Sequence, residues 1–152
     1  MNDTATQPFS PAETDLDMLA KAYGLARRAH AKQTRRDGVT PYMTHIYAVM
    51  QRAPKDAVSQ AVAIMHDLVE DHPEYWGEIR DGFPPEVVNG VYALTKGPGE
   101  TYPAFIERVR DTDNGRWAAI KVADILANLS DDPTPRQIRK YAAALLVLVP
   151  VT

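Results

Sequence analysis

The sequence predicts an all-α protein. Apolar residues recur at three- and four-residue steps along most of the chain, as one buried face of a helix requires. The densest apolar runs are rich in alanine and do not alternate with polar residues, so helix suits them better than strand. Between the runs stand clusters of Pro, Gly and Asp of the kind that end helices.

Residues 1–12, rich in Thr, Asn, Gln and Pro, read as a disordered tail, and 13–152 as one bundle of about eight helices. The first helix begins near Thr14, carries Leu16, Leu19, Tyr23, Ala26 and His30 on one stripe, and ends near Lys32 to Thr34. A basic turn over 35–41 leads to a second helix from about Tyr42 to Arg52, which Pro54-Lys55-Asp56 closes. Asp56 can cap a third helix over 57–69. Its Ala61, Val62, Ile64, Met65 and Leu68 leave little polar face, so it is expected at the centre, ending before Pro73. A short helix follows over 74–80, then a turn into a helix that starts near Pro85 and carries Val87, Val88, Val91, Tyr92 and Leu94. Beyond the loop Lys96-Gly97-Pro98-Gly99, a short helix spans 102–109, and Asp113-Asn114-Gly115 turns the chain. Residues 116–129 form a strong helix with Trp117, Ile120, Ile125 and Leu129 inward. Thr134 can cap a last helix over 135–149.

Composition removes several classes of function. The net charge of -3 argues against a nucleic-acid partner, whose binding surfaces carry a basic excess. There is no cysteine, so a disulfide or thiolate metal site is ruled out and any metal must rest on nitrogen and oxygen. No apolar run approaches the roughly 18–20 residues that span a bilayer, and Met1 to Pro11 has no apolar signal core. A cytoplasmic protein without membrane contact is expected, with homo-oligomerisation left open.

The chemistry concentrates in four places. His66-Asp67 is followed at once by Glu70-Asp71, His45 precedes them, and Asp124 lies inside the strong helix over 116–129. Carboxylates crowded onto apolar helices repel one another and suffer desolvation, and a bound cation offsets both costs. His45, His66, Asp67 and Asp124 are therefore the candidate ligands of one divalent metal. Imidazole and carboxylate together suit manganese, iron, zinc or another first-row ion better than calcium. Glu70 and Asp71 remain to orient a water or accept its proton. Each part has a blander reading: His-Asp as a capping feature, Asp124 as half of a buried salt bridge to an arginine. Arg35-Arg36 can grip phosphate by forked hydrogen bonds or be a solvated basic turn. Lys96 can meet phosphate or lie on an exposed loop. Lys121, three residues before Asp124, can pair with Glu70 or Asp71, bind substrate, or reach solvent. His30 reads as a core histidine, His72 as a helix-end residue, and Tyr75 with Trp76 as packing or a cover over the pocket mouth.

Taken in order, Ala29-His30-Ala31-Lys32-Gln33, Arg35-Arg36-Asp37-Gly38, Pro41-Tyr42 with His45, His66-Asp67, Glu70-Asp71, Leu94-Thr95-Lys96 and Lys121-Val122-Ala123-Asp124 with Asn128 form a specific series. In this series the chain resembles the small HD-domain phosphohydrolases related to the hydrolase domain of the Rel/SpoT stringent-response enzymes and to the metazoan SpoT homologue. The resemblance covers about 22–129. It implies an all-helical HD fold, one manganese-type ion, and removal of phosphate or pyrophosphate from a nucleotide. By position, His45, His66, Asp67 and Asp124 match the metal ligands, and Glu70 and Asp71 the pair that activates water. Arg35, Arg36 and Asn128 match residues beside the nucleotide. Ile46 stands where the family often has proline, and Asp131 where it often has a small hydroxyl residue.

The expected function is a metal-dependent nucleotide phosphohydrolase with a small-molecule nucleotide substrate, first of all a (p)ppGpp 3'-pyrophosphohydrolase. The alternatives are a phosphatase on another nucleotide, such as the 2'-phosphate of NADPH, a catalytically silent nucleotide-binding regulatory module, or a structural helical interaction protein.

Overall fold

The computed structural model describes residues 5–151. Nine α-helices are present among them: α1 (Asp15–Ala29), α2 (Met43–Arg52), α3 (Ala57–Met65), α4 (Leu68–Asp71), α5 (Trp76–Gly82), α6 (Pro85–Ala93), α7 (Tyr102–Asp111), α8 (Ala118–Leu129) and α9 (Pro135–Leu148). The all-helical expectation is met. The only extended pairing among the described residues is an isolated bridge between Thr34 and Pro41. None of these helices is long and apolar enough to cross a membrane.

Side-chain caps start the helices where the sequence suggested. Thr14 accepts from the Asp17 N–H at 3.1 Å and Asp56 from the Ser59 N–H at 2.9 Å. Thr134 and Gln137 form a reciprocal capping box at the head of α9. Two boundaries differ from expectation. α1 ends at Ala29, because the chain turns there to pair Arg35 N–H with Thr40 O and Tyr42 N–H with Gln33 O. The single helix expected over 57–69 is broken: Asp67 leaves the helical region (φ -114, ψ 4), and α4 restarts at Leu68. The apolar run continues through the break, so the periodicity gives no sign of it.

α3 is the central element and packs against α1, α2, α6 and α8. Ala61 to Met65 are wholly buried or nearly so. α6 approaches closely because residue 90 is glycine: a Cβ there would sit 2.7 Å from Val62 and 2.8 Å from Trp117. This packing of α2, α3 and α8 around one centre places the ends of three segments, distant in sequence, side by side.

Residues 5–12 belong to the expected tail and have no regular structure, but they are tied down. Thr6 donates twice to Glu78, which also takes a 2.7 Å bond from Arg28, and Phe9 N–H reaches Asp81 O at 2.9 Å. The first four residues of that tail, and Thr152, lie outside the described residues.

Candidate metal centre

His45 lies in the first turn of α2, His66 caps the C-terminus of α3, Asp67 occupies the break before α4, and Asp124 sits mid-way along α8. The fold brings all four together, each buried. His45 Nε2 and His66 Nε2 meet the same oxygen, Asp124 Oδ1, at 2.9 and 3.3 Å. A ring nitrogen from each histidine and a carboxylate oxygen of Asp67 lie within 4.8 Å of one another. His66 Nδ1 donates to Ala63 O at 2.7 Å, which turns Nε2 towards the cluster.

Asp124 is surrounded by donors. Besides the two histidines it accepts from Lys121 Nζ at 2.7 Å and Asn128 Nδ2 at 3.2 Å. Its partner is thus a lysine of its own helix and not an arginine, and Lys121 hydrogen-bonds to neither Glu70 nor Asp71. Burial opposes the charge on Asp124, but Lys121, His66 and His45 outweigh it and hold the carboxyl well below its usual range. Burial likewise opposes a charged His66, yet Asp67 and Asp124 raise its pKa to about 9. A proton thus stands on the nitrogen that a metal would take.

Asp67 is the opposite case. Its Oδ2 accepts from the Tyr42 hydroxyl, but its buried Oδ1 has no hydrogen-bond partner. That oxygen lies 3.7 Å from His30 Nε2, itself buried and without a hydrogen-bond partner. The other oxygen, Oδ2, lies 3.7 Å from His66 Nε2, and a buried carboxylate beside two imidazole nitrogens is a donor set that fits a first-row divalent ion.

A cleft of about 280 Å³ opens over this cluster. Glu70 and Asp71 line it on the α4 side, and Glu70 takes a hydrogen bond from the Lys96 N–H. Although Glu70 keeps much of its surface at the rim, desolvation raises its pKa against the pull of that N–H and of Lys121. Lys96, Lys121, Lys140, Tyr102 and Tyr141 also line the cleft. Burial and the neighbouring Lys121 lower the Lys140 pKa. The Tyr102 hydroxyl is buried without a hydrogen-bond partner. Larger hollows lie under the N-terminal segment (440 Å³), beside the C-terminal end of α9 (580 Å³) and between the 35–37 loop and 131–134 (320 Å³), but none of these gathers histidines with carboxylates.

The remaining sequence candidates divide. Asn128 lines the cleft and bonds both Asp124 and Arg35, the latter at 3.0 Å. Arg35 also donates to Asp131 at 3.0 Å and lies over the Tyr42 ring, one residue removed from the cleft. Arg36 turns away from it, to Gln137 and the carbonyls of Asp131 and Asp132. Lys96 Nζ bonds Glu100 O at 2.9 Å. His30 is a core residue bonded to Gln33, and His72 bonds the same glutamine. Tyr75 packs on His72 and Trp76 on Tyr92, and neither lines the cleft. Sequence reading gave no role to Tyr42, Tyr102, Lys140 or Tyr141. Only Tyr42, next to Pro41 and before His45, carried a signal.

No family model matches the chain. It is 32% identical to a probable GTP pyrophosphokinase of Mycobacterium leprae over 91% of its length, and 34% identical to the bifunctional (p)ppGpp synthase/hydrolase RelA of Mycobacterium tuberculosis over the same share. It is 36% identical over 59% of its length to the bifunctional (p)ppGpp synthase/hydrolase SpoT of Escherichia coli. The chain is related to the Rel/SpoT proteins. It spans only 19% and 20% of the two mycobacterial relatives and 13% of the SpoT relative. Their names cover both making and breaking of (p)ppGpp, so relatedness alone does not choose between synthesis and hydrolysis.

Proposed function

We propose that this chain is a metal-dependent nucleotide phosphohydrolase of the HD type, and that its substrate is (p)ppGpp, from which it releases the 3'-pyrophosphate. The observation that carries the reading is the meeting of His45, His66, Asp67 and Asp124, from three separate stretches, beneath a cleft rimmed by Glu70 and Asp71. Two imidazoles and two carboxylates around one point, with two further acids at the rim, offer a seat for an ion that acidifies water and a base for that water, which is what hydrolysis requires.

The four side chains would hold one divalent ion, manganese by resemblance. When bound, such an ion polarises a phosphoryl oxygen and lowers the pKa of a water. The other steps belong to the chain's own groups. Glu70 and Asp71 orient the attacking water and take its proton. The new oxygen–phosphorus bond forms as the bond from phosphorus to the ribose 3'-oxygen breaks, releasing pyrophosphate, and the proton taken by the acid pair is returned to the 3'-oxygen, which leaves as a hydroxyl. Lys96 and Lys140, which line the same cleft, offset the negative charge of the phosphates. Arg35 and Asn128 flank the nucleotide beyond them. Lys121, neutralising Asp124, acts on the site and not on the substrate. An enzyme of this kind works in the cytoplasm, where such nucleotides are free in solution.

The test is a nucleotide screen with manganese that follows phosphate and pyrophosphate separately. Pyrophosphate released from (p)ppGpp is the expected result. Phosphate from NADPH with none from (p)ppGpp would move the substrate to the 2'-phosphate class. No release from any nucleotide would contradict the hydrolytic reading.

A further inference from the structure

Gln33 leaves α1 at the turn before the basic loop and has no part in the metal cluster. Its side chain nevertheless joins three ionisable groups. Its Oε1 lies 2.7 Å from His30 Nδ1 and 2.8 Å from His72 Nε2, and its Nε2 lies 3.2 Å from Asp71 Oδ2. The orientation of the amide follows from these neighbours. Turned over, its oxygen would face the Asp71 carboxylate, acceptor against acceptor. Two imidazole N–H groups on the oxygen therefore key the amide so that its NH2 points at Asp71. His30 is buried and its ring packs 4.6 Å from that of Tyr42, whose hydroxyl bonds the ligand Asp67, so the inner anchor of the amide is fixed by the core.

We infer that Gln33 is a positioning residue: held by His30 and His72, it fixes the carboxylate of Asp71 in the direction in which it must receive the proton of the attacking water. This rests on the hydrolytic reading above. Glu70, the other member of the pair, is held from the opposite side by the Lys96 N–H. Each acid thus has one donor from outside α4, and α4 has only four residues of its own to hold them.

Two variants separate positioning from packing. Gln33→Met keeps the length and loses every hydrogen bond. Gln33→Glu keeps an acceptor for both histidines and sets a second carboxylate oxygen against Asp71. In steady-state pyrophosphate release from (p)ppGpp with manganese, kcat should fall about tenfold or more in both, since small misplacements of a reacting group cost that much or more. KM and the manganese Kd should stay within about twofold in both, a change of under about half a kcal/mol in binding. Unchanged kcat in Gln33→Met would overturn the inference. Recovery of kcat in Gln33→Glu would show that only the histidine anchors matter and would overturn it too, as would a parallel loss of manganese affinity. A second readout does not depend on turnover. Nitrogen-15 NMR of the imidazoles in the metal-free protein should find a proton on His30 Nδ1 and on His72 Nε2, both signals changing in Gln33→Met. If the wild type releases nothing from any nucleotide, the hydrolytic reading fails, and the NMR result alone decides the hub: bare nitrogens at those two positions would refute it.

Discussion

Asp124 and Asp67 stand on opposite sides of the same cluster, both buried, and they are held in opposite ways. Asp124, on α8, is satisfied by the protein itself through Lys121, Asn128 and two histidines. Asp67, at the α3–α4 break, has one hydroxyl partner and one oxygen with none. The α8 side is thus a finished piece of architecture, and the α4 side is a piece of architecture that a ligand completes. In the metal-free protein a buried charge with four donors holds the fold together, and an ion that takes the two histidine nitrogens leaves Lys121 and Asn128 on Asp124. A buried oxygen without a donor costs stability until something binds it.

The largest expected effect comes from breaking the finished side. Asp124→Ala leaves Lys121 buried without its counter-charge and should cost about 3 kcal/mol or more of stability, along with manganese binding. Asp67→Ala should abolish manganese binding just as fully at a smaller cost in metal-free stability, since it removes the Tyr42 acceptor and a charge facing His66 but also an oxygen without a partner. Equal losses of stability in the two variants, measured by thermal unfolding without metal, would erase the contrast. Next in size is the acid pair. Asp71→Asn should keep the metal and lose about a hundredfold in turnover, as removal of a general base does. Full activity in that variant would remove Asp71 from the mechanism.

A pH series sharpens the same comparison. His66 is raised from 6.5 to about 9 in the fold, so its contribution to stability is complete below about 6.5 and is lost as pH rises through about 9. Asp124 is lowered, so its contribution is present above the ordinary range of an aspartate, about 4, and is lost as pH falls below it. Metal-free protein should therefore lose stability at both ends, and manganese, which takes the His66 nitrogen in place of the proton, should flatten the alkaline limb. An alkaline limb that manganese leaves unchanged would place the ion elsewhere. The smallest effect is expected elsewhere in the cleft lining. Tyr102→Phe removes a buried hydroxyl without a hydrogen-bond partner, so thermal unfolding should show stability unchanged within about 0.5 kcal/mol or slightly raised. A clear loss would mean that the hydroxyl serves the fold.

What could be read in advance follows from how far each signal reaches along the chain. The helices, their caps at Thr14, Asp56 and Thr134, and the centrality of 57–65 are local matters of period and capping, and they were legible. The candidate ligands were legible because ionisable residues inside apolar runs need a reason to be there. The break at Asp67 was not, since the apolar run crosses it and the backbone there answers to the geometry of the site. Lys121 could reach several groups from its position, and only packing of α8 against α2 and α3 decides for Asp124. Lys140, Tyr102 and Tyr141 come from α7 and α9, whose approach to the cleft is set by tertiary contacts that no nearby residue announces. Arg35 and Arg36 read alike, as phosphate-gripping or as a solvated basic turn, yet of the two it is Arg35 that bonds the cleft-lining Asn128, while Arg36 bonds Gln137 and the 131–132 carbonyls.

The central claim is that one divalent cation sits among His45, His66, Asp67 and Asp124. The most direct measurement is anomalous diffraction at the manganese edge from crystals of the manganese-loaded protein. One peak per chain is expected, in contact with Nε2 of both histidines and with an oxygen from each aspartate. A peak elsewhere, or none while His66 stays locked onto Asp124, would contradict the account.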